Sequence, residues 1–241
     1  MFGLGANDII CGGPGNDRIL PGPGDDTVHA DAGDDRIEEQ GDGADVLNGD
    51  KGSDVILAKA GNDTINAGGD LDAALDRNEI DAGEGDDDVT GGVGRDKVKL
   101  GAGGDDATTG QGDDRIDGNG GRDIMNGGVD DDVMDGGRGR DFVSGTDGDD
   151  RLRGGPGTDT LLGSDGTDDL LGDAGVDTLD GGRDNDRVSG GAGDDRSLKG
   201  GDNDDLLDGG AGQDLECLGA QAVDEDGIPD VDDIRNCEVP V

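Results

Sequence analysis

The chain has 241 residues, of which 29% are apolar, with two Phe, no Trp or Tyr, and a formal net charge of -43. So little apolar surface cannot offset the entropy of ordering a conventional core, and composition alone reads as disorder. The acidic balance excludes nucleic acid and anionic membrane surfaces as partners.

The acidity itself is selective. Of 62 acidic residues 7 are Glu, and 62 − 7 leaves 55 Asp. Solubility or tolerance of salt would be served by either carboxylate. Asp is the shorter one, suited to turns and to reaching an ion held beside its own backbone. No stretch approaches the roughly 18 continuous apolar residues of a membrane span. The opening "MFGLGANDIICGG" lacks the basic region and apolar core of a cleaved signal peptide and starts inside a repeat. The expectation is a piece of a larger protein, or export by another route.

The first full repeat is "GGPGNDRIL" (Gly12 to Leu20). Aligned on its sixth residue, the chain returns an Asp throughout: Asp8, Asp17, Asp26, Asp35, Asp45, Asp54, Asp63, Asp72, Asp87, Asp96, Asp106 and Asp114. The series continues with Asp123, Asp132, Asp141, Asp150, Asp159, Asp168, Asp177, Asp186, Asp195, Asp205 and Asp214. Spacing is mostly nine, with tens before Asp45, Asp106 and Asp205 and an eight before Asp114. The segment "DRNEID" (Asp76 to Asp81) reads as an insertion between Asp72 and Asp87. Two places after each Asp stands an apolar residue, such as Ile19, Val28, Ile56, Leu161 or Val188. The exceptions are Ala74, Thr108, Ser197 and Glu216, and Leu198 beside Ser197 points to a bulge there.

This order has a structural meaning. Six residues of Gly, Asp and Asn form a turn, because they tolerate positive φ. The next three form a short strand whose middle residue faces inward and whose neighbours, such as Arg18, Arg36 and Arg151, face solvent. Two repeats make one coil of about 18 residues, and stacked coils pair in parallel as two thin sheets around a shared aliphatic file. Rungs about 4.8 Å apart would make the whole series a rod roughly 55 Å long.

The repeat resembles the GGxGxDxUx nonapeptide of the RTX (repeats-in-toxin, hemolysin-type) family. "GGPGNDRIL", "GGRGRDFVS" (Gly136 to Ser144), "GGPGTDTLL" (Gly154 to Leu162) and "GGAGDDRSL" (Gly190 to Leu198) carry the likeness, which runs over residues 3–217. It implies an all-β, calcium-stabilised parallel β-roll, with ions in the turns between coils. The implied ligands are the sixth-position Asp carboxylates above and the turn carbonyls.

The residues argue for calcium by themselves as well. Stacking sets Asp over Asp in columns, and each unpaired neighbour costs about 1 kcal/mol even at the dielectric of water. A cation taking 6 to 8 oxygens with tolerant geometry resolves this, whereas magnesium demands a tight octahedron and zinc prefers His or Cys. Ions bridging repeats one coil apart would number about 20. Folding on calcium binding follows, which suits a secreted, extracellular module. Replacements of the fourth-position Gly by Ala6, Asp70, Asp130, Asp184 and Asn203 mark weaker turns, and the repeat around Asp72 is the weakest.

Residues 218–241 read as an irregular cap. "DEDGIPDVDDIRNC" (Asp224 to Cys237) resembles part of a thrombospondin type-3 calcium loop, through Asp224, Asp226, Asp230 and Asp233. A solvated acidic tail is the other reading. Cys217 and Cys237 flank the segment as a disulfide or as two thiols, and Cys11 has no evident partner. Catalysis finds no support: His29 falls at an outward strand position, and paired carboxylates without a cleft have no acid and base roles. The sequon at Asn62 lies within a turn. The expected function is calcium binding by a secreted structural module. An ice- or surface-binding solenoid and an acidic disordered calcium buffer are the alternatives.

Overall fold

Successive repeats deliver strands alternately to two parallel sheets, forming a β-solenoid of about 11 turns and roughly 18 residues per turn. The computed structural model describes residues 1–69, 76–214, 217–218 and 233–237. The chain forms two compact units, Met1–Gly127 and Gly128–Val241. In the first, one sheet carries Ile9–Pro14, Thr27–Ala32, Val46–Asn48, Thr64–Asn66, Asp88–Val93, Asp106–Gln111 and Ile124–Val129. The other carries Arg18–Ile19, Arg36–Glu38, Val55–Ala60, Glu79–Glu84, Lys97–Gly103 and Arg115–Gly121. In the second unit, Phe142–Asp147, Thr160–Asp165, Thr178–Arg183, Ser197–Gly201 and Cys217–Leu218 face Val133–Asp135, Arg151–Gly157, Asp169–Gly175, Arg187–Ala192, Leu206–Ala211 and Asp233–Arg235. Among the described residues no helix is long and apolar enough to cross a membrane.

Pairing in register stacks like on like. Val28, Leu47, Ile65, Val89 and Ala107 form one aliphatic file of the first unit, and Ile19, Ile37, Ile56, Ile80, Val98 and Ile116 the other. In the second unit Leu152, Leu170, Val188 and Leu207 repeat the pattern. These side chains are buried, each contributing about 2 kcal/mol of transfer free energy. Most strands run to six or seven residues, longer than the three expected. The first-position residues stay in the ladder, as when Gly136 N–H donates to the Arg153 carbonyl over 2.8 Å. Those residues also point inward, where Ala30, Ala58, Ala67, Ala82 and Leu100 are fully buried. The core is thus two side chains wide per rung.

The ladder corrects the register in two places. Asp105, not Asp106, takes the sixth position: Asp105 is buried, Asp106 is exposed, and Ala107 rather than Thr108 enters the core. The spacing from Asp96 through Asp105 to Asp114 is therefore an even nine. Residues 79–81 are no insertion, because Glu79–Glu84 is a full strand with Ile80 paired to Ile56 and Val98. Asn78 occupies the slot assigned to Asp72, which itself lies outside the described residues, as do Asp70 and Ala74. At Ser197 an extra residue enters and Leu198 pairs with Leu179, restoring the core file.

The second and fourth turn positions are left-handed. Asp130, Asp184 and Asn203 hold φ of 82°, 72° and 80° at the fourth position, and Asp31, Asp50, Lys59, Asn119 and Asp173 are left-handed at the second. Opposite charges pair across outward rows, as in Lys97–Glu79 at 2.6 Å and Arg183–Asp165 at 2.8 Å. Such exposed pairs contribute at most about 1 kcal/mol each. The outward row Phe142, Thr160, Thr178 and Ser197 is no threonine ladder. At the C-terminus, Cys217 and Cys237 form a disulfide, closing a loop worth about 3 kcal/mol in chain entropy. The strand Asp233–Arg235 pairs with Leu206–Ala211, so the cap adds a rung to the second sheet.

A matched pair of substitutions tests the turn geometry. At Gly166, φ is +136° and a Cβ would lie 2.0 Å from the Gly148 carbonyl oxygen, whereas at Gly104 the nearest atom would be 3.3 Å away. Gly166→Ala is expected to cost about 2–4 kcal/mol and Gly104→Ala less than about 0.5 kcal/mol, measured by denaturant unfolding in saturating calcium.

Candidate metal centre

Along each edge of the roll the sixth-position residues stack into a column. One column of the first unit holds Asp8, Asp26, Asp45, Asp63, Asp87, Asp105 and Asp123, and the other Asp17, Asp35, Asp54, Asn78, Asp96 and Asp114. In the second unit the columns are Asp141, Asp159, Asp177, Asp195 and Asp214, and Asp132, Asp150, Asp168, Asp186 and Asp205. The backbone N–H of each member donates to Oδ1 of the member one coil later, at 2.7 Å between Asp26 and Asp45 and 2.8 Å between Asp150 and Asp168. All are buried except Asp8 and Asp17 at the N-terminal end.

A second ladder runs in the opposite sense just outside the first. The fifth-position side chain accepts from the fifth-position N–H of the next coil. Asn16 Oδ1 receives Asp34 N–H at 3.1 Å, Asn62 Oδ1 receives Asp86 N–H at 3.1 Å, and Asp149 Oδ1 receives Thr167 N–H at 2.8 Å. The abundance of Asn and Asp at the fifth place carried this signal in the sequence, and it passed unread as turn preference. Asn62, the sequon residue, is held in this ladder.

Because backbone amides occupy Oδ1, the other carboxylate oxygen decides what the columns can bind. Among the described residues, Oδ2 is buried with no hydrogen-bond partner in Asp26, Asp35, Asp54, Asp63, Asp87, Asp105, Asp150, Asp159, Asp168, Asp177 and Asp186. Each orphaned oxygen is costly in a low-dielectric setting. Its surroundings are oxygen. A Cβ on Gly163 would lie 2.2 Å from Asp168 Oδ2 and 2.4 Å from the Gly181 carbonyl oxygen, and one on Gly181 2.4 Å from Asp186 Oδ2 and 2.5 Å from the Gly200 carbonyl oxygen. Thr109 illustrates the acceptor character of this lining, since its hydroxyl donates to the Gly127 carbonyl at 3.0 Å. Carboxylate and carbonyl oxygens of this kind fit a hard divalent cation such as calcium, and the buried Asn78 Nδ2 marks the one described slot where a column carboxylate is replaced by an amide.

Electrostatics agree with geometry. Burial, reinforced by neighbouring column carboxylates and opposed by the amide each accepts, pushes Asp186 up to about 8 and Asp54, Asp63, Asp150 and Asp177 up to about 7. Burial likewise lifts Asp87, Asp159 and Asp168 to about 6. Most first positions hold Gly or Ala, and of the exceptions Pro21, Glu39, Leu100 and Thr109 one is charged. Glu39 is fully buried, and burial, with Asp45 and then Asp26 and Asp63 adding, pushes its carboxyl up to about 8. Nothing in the nonapeptide pattern singles Glu39 out; only the extra residue before Asp45 hints at a local departure.

Of the remaining sequence candidates, Asp106 sits on the outer face. Asp224, Asp226 and Asp230 lie outside the described residues, and the backbone of Asp233 belongs to the last strand. His29 faces outward, 3.6 Å from Asp50. The model of the RTX calcium-binding nonapeptide repeat (4 copies) matches residues 1–19, 12–38, 40–74, 71–98, 100–134, 108–143, 127–161, 135–170, 162–196 and 197–216. A search of curated proteins returns no match.

The raised carboxyls set a pH dependence. Their unfolded values lie near 3.9, so the metal-free roll holds this contribution fully below about pH 4 and loses it as pH rises through about 6 to 8. In chelator, acidification from pH 8 to 4 is expected to increase β-sheet circular dichroism, with protons standing in for the cation. A metal-free signal that instead falls monotonically over that range would contradict the assignment.

Proposed function

The chain belongs to the RTX calcium-binding nonapeptide repeat family, and we propose that it is a structural module that folds by taking calcium into its two carboxylate columns. The observation that carries this reading is the recurrence along the columns of buried Oδ2 atoms without a hydrogen-bond partner among the described residues, as in Asp63, Asp87 and Asp105 of the first unit and Asp150, Asp168 and Asp186 of the second. The residues assigned to the ions are the column aspartates, with Asp105 in place of Asp106, together with turn carbonyls. Calcium supplies the positive charge that lets these carboxylates stay ionised while buried. The backbone contributes by fixing Oδ1 through an amide, which orients each carboxyl before an ion arrives. An ion count of roughly 20 follows from one ion per neighbouring pair of column members.

Secretion is part of the proposal. Extracellular modules of this kind bind calcium in the range of about 0.1 to 1 mM, a concentration met outside cells, so the chain would cross a membrane unfolded and fold on arrival. Association with a larger exported protein is the setting in which such a module has use, as spacer or folding clamp.

Far-ultraviolet circular dichroism during calcium titration tests the reading. The full chain is expected to change from coil to β-sheet cooperatively between micromolar and millimolar calcium, with magnesium ineffective at equal concentration and EDTA reversing the change. Absence of any calcium-induced β signal would refute it.

A further inference from the structure

Among the described residues, Glu39 is a buried carboxylate that belongs to neither column. Glu39 occupies the first turn position, which abuts the column carboxylate of the same repeat and holds Gly or Ala in most repeats and the uncharged Pro21, Leu100 and Thr109 in others. Its backbone keeps the ladder, with Glu39 N–H donating to the Leu57 carbonyl at 2.9 Å. The side chain therefore enters the interior beside the column, and its carboxylate meets those of Asp26 and Asp45. Ligand oxygens from the three residues all lie within 4.8 Å of one another.

Two observations separate this trio from a chance acidic cluster. All three residues are buried, with exposures of 0% for Glu39, 1% for Asp26 and 2% for Asp45. In addition, among the described residues Glu39 Oε1 and Asp26 Oδ2 have no hydrogen-bond partner, while Glu39 Oε2 accepts the Gln40 N–H at 3.3 Å. Two oxygens on one calcium ion stand at most about 5 Å apart, twice a bond of 2.3–2.6 Å, and two on one magnesium about 4.2 Å. The trio lies within the calcium limit.

We propose that Glu39, Asp26 and Asp45 form a three-carboxylate calcium site that binds more tightly than the other sites of the columns and fills first. Elsewhere an ion between adjacent column members meets two carboxylates, and affinity of oxygen sites rises with ligand charge and rigidity. Glu39 adds a third charge, from a residue whose N–H joins the sheet when its coil folds. This inference rests on the calcium reading above and extends it to a residue outside the nonapeptide signature.

Equilibrium dialysis of the full chain against calcium, with the wild type compared with Glu39→Ala, separates the two. Alanine is tolerated at this inward position in Ala30 and Ala58. The wild type is expected to take up one equivalent at calcium concentrations about tenfold or more below the rest. Glu39→Ala should lose that equivalent and keep the others. Glu39→Gln, which keeps the shape, covers the case in which the alanine variant fails to fold; it should weaken the first equivalent by about tenfold. A first equivalent retained within threefold in either folded variant, as expected if Glu39 were merely a protonated acid in the core, overturns the inference. A wild type with calcium uptake but no early equivalent does the same and leaves the calcium reading standing. No uptake at all sinks both.

Discussion

Like charges stacked at the rung spacing of a sheet, and buried, are the constraint on which everything else in this protein depends. The chain forms a carboxylate column on each edge and removes most members from water. A column of that kind has only two neutral solutions, protons or cations, and at neutral pH the carboxyls lie close enough to their shifted ionisation points for a cation to displace the proton. The glycine-rich turns follow from the same demand. Carboxylate oxygens and backbone carbonyls reach one another only where no Cβ intervenes, as between Gly163, Asp168 and Gly181.

The economy of the core is a second expression of this arrangement. An apolar fraction of 29% would fail to organise a globule, yet here each inward residue packs against equivalent residues on the rungs before and after it. Val28 lies in a file between Ile10 and Leu47, and Leu170 between Leu152 and Val188. No aromatic residue is needed in a slot one Leu wide, and Phe2 and Phe142 are both left on the outside. What a large hydrophobic core does elsewhere is divided in this fold between a narrow file and the edges.

Much of this was legible in the amino-acid order, because both signals are nearly periodic: an Asp at mostly nine-residue spacing and, in most repeats, an aliphatic two places later. The failures occurred where local chemistry was degenerate. Asp105 and Asp106 are adjacent carboxylates; an even spacing of nine and Ala107 two places on favour Asp105, and ladder pairing shows that it is the one that turns inward. Asn78 was invisible to a search for Asp, although its amide oxygen accepts the Asp54 N–H as a carboxylate would. Glu39 was missed for the opposite reason, since a single Glu in a chain of aspartates looks like surface. The cap was half-read. The cysteine pairing was among the stated alternatives, whereas the strand Asp233–Arg235 has no repeat to announce it and forms because Leu206–Ala211 offers an open edge.

The two hydrogen-bond ladders of the turns run in opposite senses, and that gives the roll a grain. A sixth-position amide is satisfied by a side chain that follows it in the chain, while a fifth-position amide is satisfied by one that precedes it. Every coil is thereby latched twice, once by each neighbour, and neither latch closes within a coil alone. For a polypeptide emerging through a narrow passage, this makes order of appearance a structural variable. Led by its N-terminus, the chain brings each new coil as the carboxylate that closes the amide behind it; led by its C-terminus, each new coil arrives with the amide, and the carboxylate is already waiting. In both cases a coil whose neighbours have not yet folded lacks the partners of both ladders.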